Sequence, residues 1–93
     1  MSEDRLIEIE YYADDVDFIA EVMSWVPLDS TIEKLRNGTV SPECDEFMLC
    51  ELTKHELNEL VGYLSHEANH NEKRSVADRI CEIADGFEVR LYR

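Results

Sequence analysis

A chain of 93 residues with 44% hydrophobic and 33% charged side chains can form one hydrophobic core, but it is too apolar for a disordered tail and too charged for a membrane span. The formal net charge of −13 repels nucleic acid and anionic membranes, so we expect no direct binding to either. Because residues 1–4 are acidic where a secretory signal would be basic, we expect a single cytoplasmic domain over residues 1–93.

The first segment, residues 5–12, alternates between apolar and charged side chains. This period of two predicts a half-buried strand, with Ile7 and Ile9 on the core face and Glu8 and Glu10 on the opposite face.

A helix is predicted to follow, capped by Asp14 and running to about Val26, where Pro27 ends it. A step of about 100° per residue places Asp14, Asp17 and Glu21 along one narrow stripe. The rest of the helix surface is apolar, and this apolar surface is wider than one buried face requires.

The middle of the chain predicts a short helix and a second strand. Ser30-x-x-Glu33 matches a capping box and predicts a helix over residues 31–36. A short apolar run over residues 44–51 predicts the strand.

The second half predicts two helices and a final strand. Thr53-x-x-Glu56 is a capping box that predicts a helix from Lys54 to about residue 69, followed by a helix over residues 72–84. Alternation over residues 87–92 predicts the last strand. The order β-α-α-β-α-α-β indicates an α+β fold in which a three-stranded, mostly antiparallel sheet packs on three to four helices.

His66-Glu67-x-x-His70 matches the pattern that supplies two zinc ligands and a general base in metalloproteases. The two histidines share a helix face that points away from the predicted apolar stripe of this helix, which comprises Leu57, Leu60, Leu64 and Ala68. A third ligand would have to come from Glu82, Glu88 or a cysteine. We therefore expect surface histidines, with no metal and no catalytic residue, and keep a zinc hydrolase as the alternative.

The three cysteines, Cys44, Cys50 and Cys81, fit neither a disulfide framework nor a zinc clamp. We expect them to be reduced and buried as small apolar side chains.

The stretch Leu52-Thr53-x-x-Glu56-Leu57-x-x-Leu60-x-Gly62-Tyr63-Leu64-x-x-Glu67-Ala68-Asn69-His70 resembles a helical hairpin of small bacterial and phage proteins, in which Glu-Ala-Asn-His ends the first helix. The resemblance covers residues 51–84 and implies a hairpin but no known activity. The position matching His66 is not part of that pattern, which implies that the zinc motif is accidental.

The acidic first half predicts a partner-binding surface. Carboxylates on the first strand, the first helix and the start of the second predicted strand are expected to form an anionic strip beside an apolar ridge of Phe18, Val22 and Trp25, and so to imitate a phosphate backbone. The predicted binding residues are Glu8, Glu10, Asp14, Asp17, Glu21, Trp25, Asp45 and Glu46. The alternative is that residues 27–43 or a second subunit cover the ridge and that the acids only maintain solubility.

These features predict an inhibitor or regulator that binds a basic, nucleic-acid-binding protein stoichiometrically, without catalysis or a cofactor. In size and acidity the chain resembles phage-encoded inhibitors of nucleic-acid-targeting defence systems, such as anti-CRISPR and anti-restriction proteins. An acidic antitoxin is a further alternative, and a homodimer is compatible with the sequence.

Overall fold

The computed structural model describes residues 5–92 and confirms the predicted α+β class, with four helices and a three-stranded antiparallel sheet in that range. The elements follow in the order β1 (Leu6–Tyr12), α1 (Ala13–Val22), α2 (Asp29–Arg36), β2 (Thr39–Val40), β3 (Phe47–Thr53), α3 (Lys54–His70) and α4 (Arg74–Leu91). Residues 1–4, on which the expectation about a secretory signal depends, lie outside the described part. Within residues 5–92, every helix is too short or too polar to cross a lipid bilayer.

The sheet has the order β1-β3-β2, so β3 is its central strand. Because side chains alternate along β1, Ile7, Ile9 and Tyr11 face the core, as the alternation predicts. Their antiparallel partners on β3 are, in the same order, Leu52, Cys50 and Met48. The opposite face of β1 remains exposed.

The two long helices α3 and α4 form a hairpin that supplies much of the core. Thr53 caps α3 as predicted: its hydroxyl accepts the Glu56 N–H at 3.1 Å, and the Glu56 carboxylate accepts the Thr53 N–H at 2.9 Å. The predicted apolar stripe of α3 is buried: Leu57, Leu60, Val61, Leu64 and Ala68.

Tyr11 ties the sheet to two helices. Its hydroxyl donates to the carbonyl oxygen of Leu35, the last buried residue of α2, at 2.6 Å, and its ring packs edge-on against Phe87 of α4. Burial raises the pKa of the Tyr11 hydroxyl, and the neighbouring Cys50 thiol raises it further, so the hydroxyl remains a donor. Gly38 makes this arrangement possible, because a β-carbon there would collide with the Tyr11 hydroxyl.

The predicted final strand is wrong, because residues 87–91 continue α4. Phe87 and Leu91 extend the helical spacing begun by Ile80 and Ala84, so both pack on the core from one helix face. The helix was predicted to stop at Asp85-Gly86, but Gly86 lies inside it on the exposed side. The third strand is instead β2, which pairs with the central strand through only two residues.

The bounds of three further elements, α1, α2 and β3, also differ from prediction. The first helix ends at Val22, four residues early, and neither Asp14 nor Ser30 makes a side-chain cap hydrogen bond. The N-cap positions of α1 and α2 are occupied by Tyr12 and Leu28, so each helix begins two residues earlier than predicted. The strand predicted over residues 44–51 forms over 47–53.

The cysteines are reduced, but only two of them are partly buried. Cys44 and Cys50 are half-buried, whereas Cys81 is exposed on α4, which contradicts the expected burial of all three.

Candidate partner-binding surface

The exposed face of the sheet carries three carboxylates, one more than the sequence predicts. Glu8 and Glu10 alternate with the core residues of β1 and are exposed, as expected. The strand register places Glu51 of β3 directly opposite Glu8, and it too is exposed. Directly opposed residues have β-carbons about 4.5–5.5 Å apart, so the two like charges repel each other.

The predicted stripe on α1 is also exposed. Asp14, Asp17 and Glu21 follow one another at helical spacing and all face solvent. Asp14 lies in the first turn, where a negative charge is favoured by the helix dipole.

The loop before β3 is joined to the start of this helix. The backbone N–H of Ala13 donates to the carbonyl oxygen of Glu46 at 2.9 Å, and the rings of Tyr12 and Phe47 lie 4.4 Å apart, centroid to centroid. The exposed residues Asp45 and Glu46 are therefore adjacent to the first turn of α1.

Salt bridges in the described part of the chain involve none of these carboxylates. Those between residues 5 and 92 join Lys34 to Glu56, His55 to Glu59 and Arg79 to Asp15. Arg90 lines a groove of about 220 Å³ with Glu8 and Glu10 but forms no salt bridge to either one. The predicted acidic side chains thus leave their charge available to a partner.

The predicted apolar ridge does not form. Phe18 and Val22 are half-buried and pack against the core, and the guanidinium group of Arg79 lies 4.1 Å from the centre of the Phe18 ring. Asp15 holds that guanidinium group through a 3.0 Å contact. The Arg79 side chain of α4 therefore covers Phe18, and the predicted ridge is not displayed as one apolar surface.

Trp25 alone of the predicted ridge is displayed, with 54% of its surface exposed. It lies in the turn after α1 and packs on α3, where its indole N–H donates to a carboxylate oxygen of Glu67 at 3.1 Å. Its ring is 6.1 Å from that of Tyr63 and 5.9 Å from that of His66, centroid to centroid. Trp25 thus belongs to an aromatic surface of α3 instead of the predicted apolar ridge beside the acidic stripe of α1.

The metalloprotease-like motif lies on this same exposed surface. His66 and His70 are exposed as predicted, and their rings stack at 4.2 Å. Both oxygens of Glu67 accept hydrogen bonds, one from Trp25 and one from Asn71 at 3.2 Å. Among residues 5–92, no three His, Cys, Asp or Glu side chains converge as a metal site would require, so the two histidines have no third ligand there.

Comparisons of the chain with protein-family models, with curated proteins and with solved structures find no match. Functional inference therefore depends on the chemistry of the surface itself.

Proposed function

We propose that this protein is a small acidic inhibitor that binds a basic, nucleic-acid-binding protein stoichiometrically and occupies its nucleic-acid site. The observation that supports the proposal most directly is the opposition of Glu8 and Glu51 on an exposed sheet face, with no salt bridge to either side chain in the described residues. Like charges placed opposite each other destabilise a sheet, and a cationic partner would remove that repulsion.

The placement of the remaining acids supports the same proposal. The Glu46 loop meets the first turn of α1, so Asp45 and Glu46 join the stripe that begins with Asp14. Along β1, alternate residues such as Glu8 and Glu10 are about 6.7 Å apart, which gives a regular row of negative charge. Such a row attracts the lysine and arginine side chains that otherwise neutralise phosphates.

Competition with nucleic acid distinguishes this function from simple solubility. The protein is immobilised and exposed to nuclease-treated lysate at low ionic strength, and retained proteins are challenged with added DNA or with salt. We expect a basic partner that DNA displaces and that salt releases, because both compete for the same charges. Recovery of no such partner, or of one indifferent to DNA, contradicts the proposal.

A matched pair of charge reversals locates the surface. Reversal of Asp14, Asp17 and Glu21 to lysine should abolish capture. Reversal of three exposed acids elsewhere changes the net charge equally and should leave most of the capture; suitable positions are Glu72, Asp78 and Glu88. Equal losses from both triple variants would show that total charge, and no particular surface, determines the interaction.

The setting of the proposed activity is a cytoplasm in which phage or host proteins control nucleic-acid enzymes. The acidity and size that resemble phage anti-defence inhibitors support this setting, as does the likeness of residues 51–84 to a hairpin of bacterial and phage proteins. Purification of the captured complex identifies the partner, and expression of that partner alone distinguishes this proposal from an acidic antitoxin. The partner of an antitoxin is toxic when expressed alone.

A further inference from the structure

An open cleft of about 430 Å³ lies between Trp25 and the exposed face of α3, and its chemistry differs from that of the acidic stripe. The indole of Trp25 and the ring of Tyr63 are nearly perpendicular, at 87°, and so form two adjoining aromatic walls. Gly62 contributes no side chain to the space, and a β-carbon added there would meet no atom within 4 Å. The carboxylate-bearing residue Glu59 lines the same cleft.

The aromatic wall is held in place before any partner binds. The hydrogen bond from the Trp25 indole to Glu67 fixes the ring, and Glu67 is itself fixed by Asn71. A wall that is already ordered loses little conformational freedom when a ligand stacks on it. An exposed tryptophan anchored in this way is typical of a residue that contributes strongly to an interface.

We propose that this cleft receives an arginine side chain of the partner. The inference rests on the proposed function, because it adds a second contact for the same basic protein. A guanidinium group is planar, so it can stack on the face of Trp25 while its edge donates hydrogen bonds to the Glu59 carboxylate. A lysine ammonium group carries the same charge and can also lie over the ring, but it has neither a planar face to stack nor a fixed fork of donors for the carboxylate, so the cleft favours arginine.

Charge complementarity selects this occupant over others. The chain carries a net charge of −13, which opposes close approach by a second copy of itself or by an acidic partner. Within residues 5–92, the salt bridge of Glu59 is a 3.5 Å contact with the exposed His55, so a guanidinium group can reach its carboxylate.

The test uses two short peptides of equal charge, in which glycine alternates with arginine in one and with lysine in the other. Trp25 is the single tryptophan of the chain, so its fluorescence reports binding at this cleft directly. We expect the arginine peptide to change the Trp25 emission and to bind about tenfold more tightly than the lysine peptide, a ratio typical of one good charge-assisted contact. Equal affinities, or binding that leaves the Trp25 emission unchanged, would overturn the inference.

Two variants separate the cleft from the general attraction of an acidic chain. Gly62→Gln fills the open space and should remove the preference for arginine, whereas Gly86→Gln makes the same substitution at an equally open glycine of α4 and should preserve it. Glu59→Gln keeps the shape of the cleft and should weaken arginine binding by about tenfold. An arginine preference that survives both Gly62→Gln and Glu59→Gln would contradict the proposed site.

The outcome can be separated from that of the proposed function. Loss of capture by the Asp14, Asp17 and Glu21 reversal, together with equal binding of both peptides, would reject the cleft and retain the acidic surface. An arginine preference without capture of any nucleic-acid-binding partner would retain the cleft and reject the proposed function.

Discussion

Reversing the charge of Glu8 should stabilise the fold while weakening partner binding. The strand register places Glu8 opposite Glu51, so Glu8→Lys replaces a like-charge pair with an opposite-charge pair. Cross-strand pairs contribute roughly 0.2–1 kcal/mol, and the exchange removes a repulsion and adds an attraction, so we expect a gain of about 0.5–1 kcal/mol in the free energy of unfolding. For a domain of this size, that gain raises the melting temperature by roughly 2–8 °C.

The control is Glu10→Lys, which changes the net charge by the same amount on the same strand face. Glu10 lies opposite Leu49 and only diagonal to Glu51, so the substitution creates no directly opposed ion pair. Thermal unfolding of both variants should be followed by circular dichroism at low ionic strength and at about 1 M salt, where the screening length falls to about 3 Å. The advantage of Glu8→Lys over Glu10→Lys should be largest at low salt. Equal melting temperatures of the two variants at low salt would refute the reasoning from the register.

Two further predictions concern the fold around this surface. Gly38→Ala should lower the free energy of unfolding by about 1–3 kcal/mol, because the new β-carbon collides with the Tyr11 hydroxyl. Gly86→Ala, in open space, should raise the free energy of unfolding by about 0.5–1 kcal/mol. Chemical denaturation measures both, and a Gly38→Ala variant as stable as the wild type would contradict the crowding. Burial acts to raise the pKa of the Glu56 carboxyl, but the hydrogen bond from Lys34 and those at the helix cap outweigh it and leave the pKa below 4.5. The stability that Glu56 contributes is therefore present above about pH 4.5 and lost as the pH falls through the folded-state pKa, so the stability difference between the wild type and Glu56→Gln should shrink on acidification; a difference constant with pH would contradict the ion pair.

The exposed carboxylates of the sheet face, Glu8, Glu10 and Glu51, indicate a compromise between stability and binding. Carboxylates that form no salt bridge within residues 5–92 raise the electrostatic energy of the folded chain, and an arrangement optimised for stability alone would place a cation opposite Glu8. Asp15 shows the alternative within the same protein, because it is held by Arg79, and that pair also covers Phe18. One acid of α1 thus stabilises the fold, while Asp14 on the same helix remains exposed.

Local signals in the sequence predicted the elements whose cause is also local. The capping box at Thr53 defines the start of α3 because its two hydrogen bonds form within four residues of each other. Alternation along β1 predicted which of its side chains face the core, because a strand has a strict period of two. Short patterns near the end of the chain were ambiguous, because six residues fit both periods. Packing of Phe87 and Leu91 on the core, on the same helix face as Ile80 and Ala84, favours the helix.

The candidate site divides in the same way. The sequence alone determined that the chain is acidic, that Glu8 and Glu10 share an outward face, and that the Asp14 stripe lies along one side of a helix, because charge and periodicity are properties of the chain itself. Only the tertiary structure placed Glu51 opposite Glu8 and placed Trp25 against α3 instead of in an apolar ridge with Phe18 and Val22. Strand register and the direction of a turn depend on contacts between residues far apart in sequence, and no local pattern specifies them.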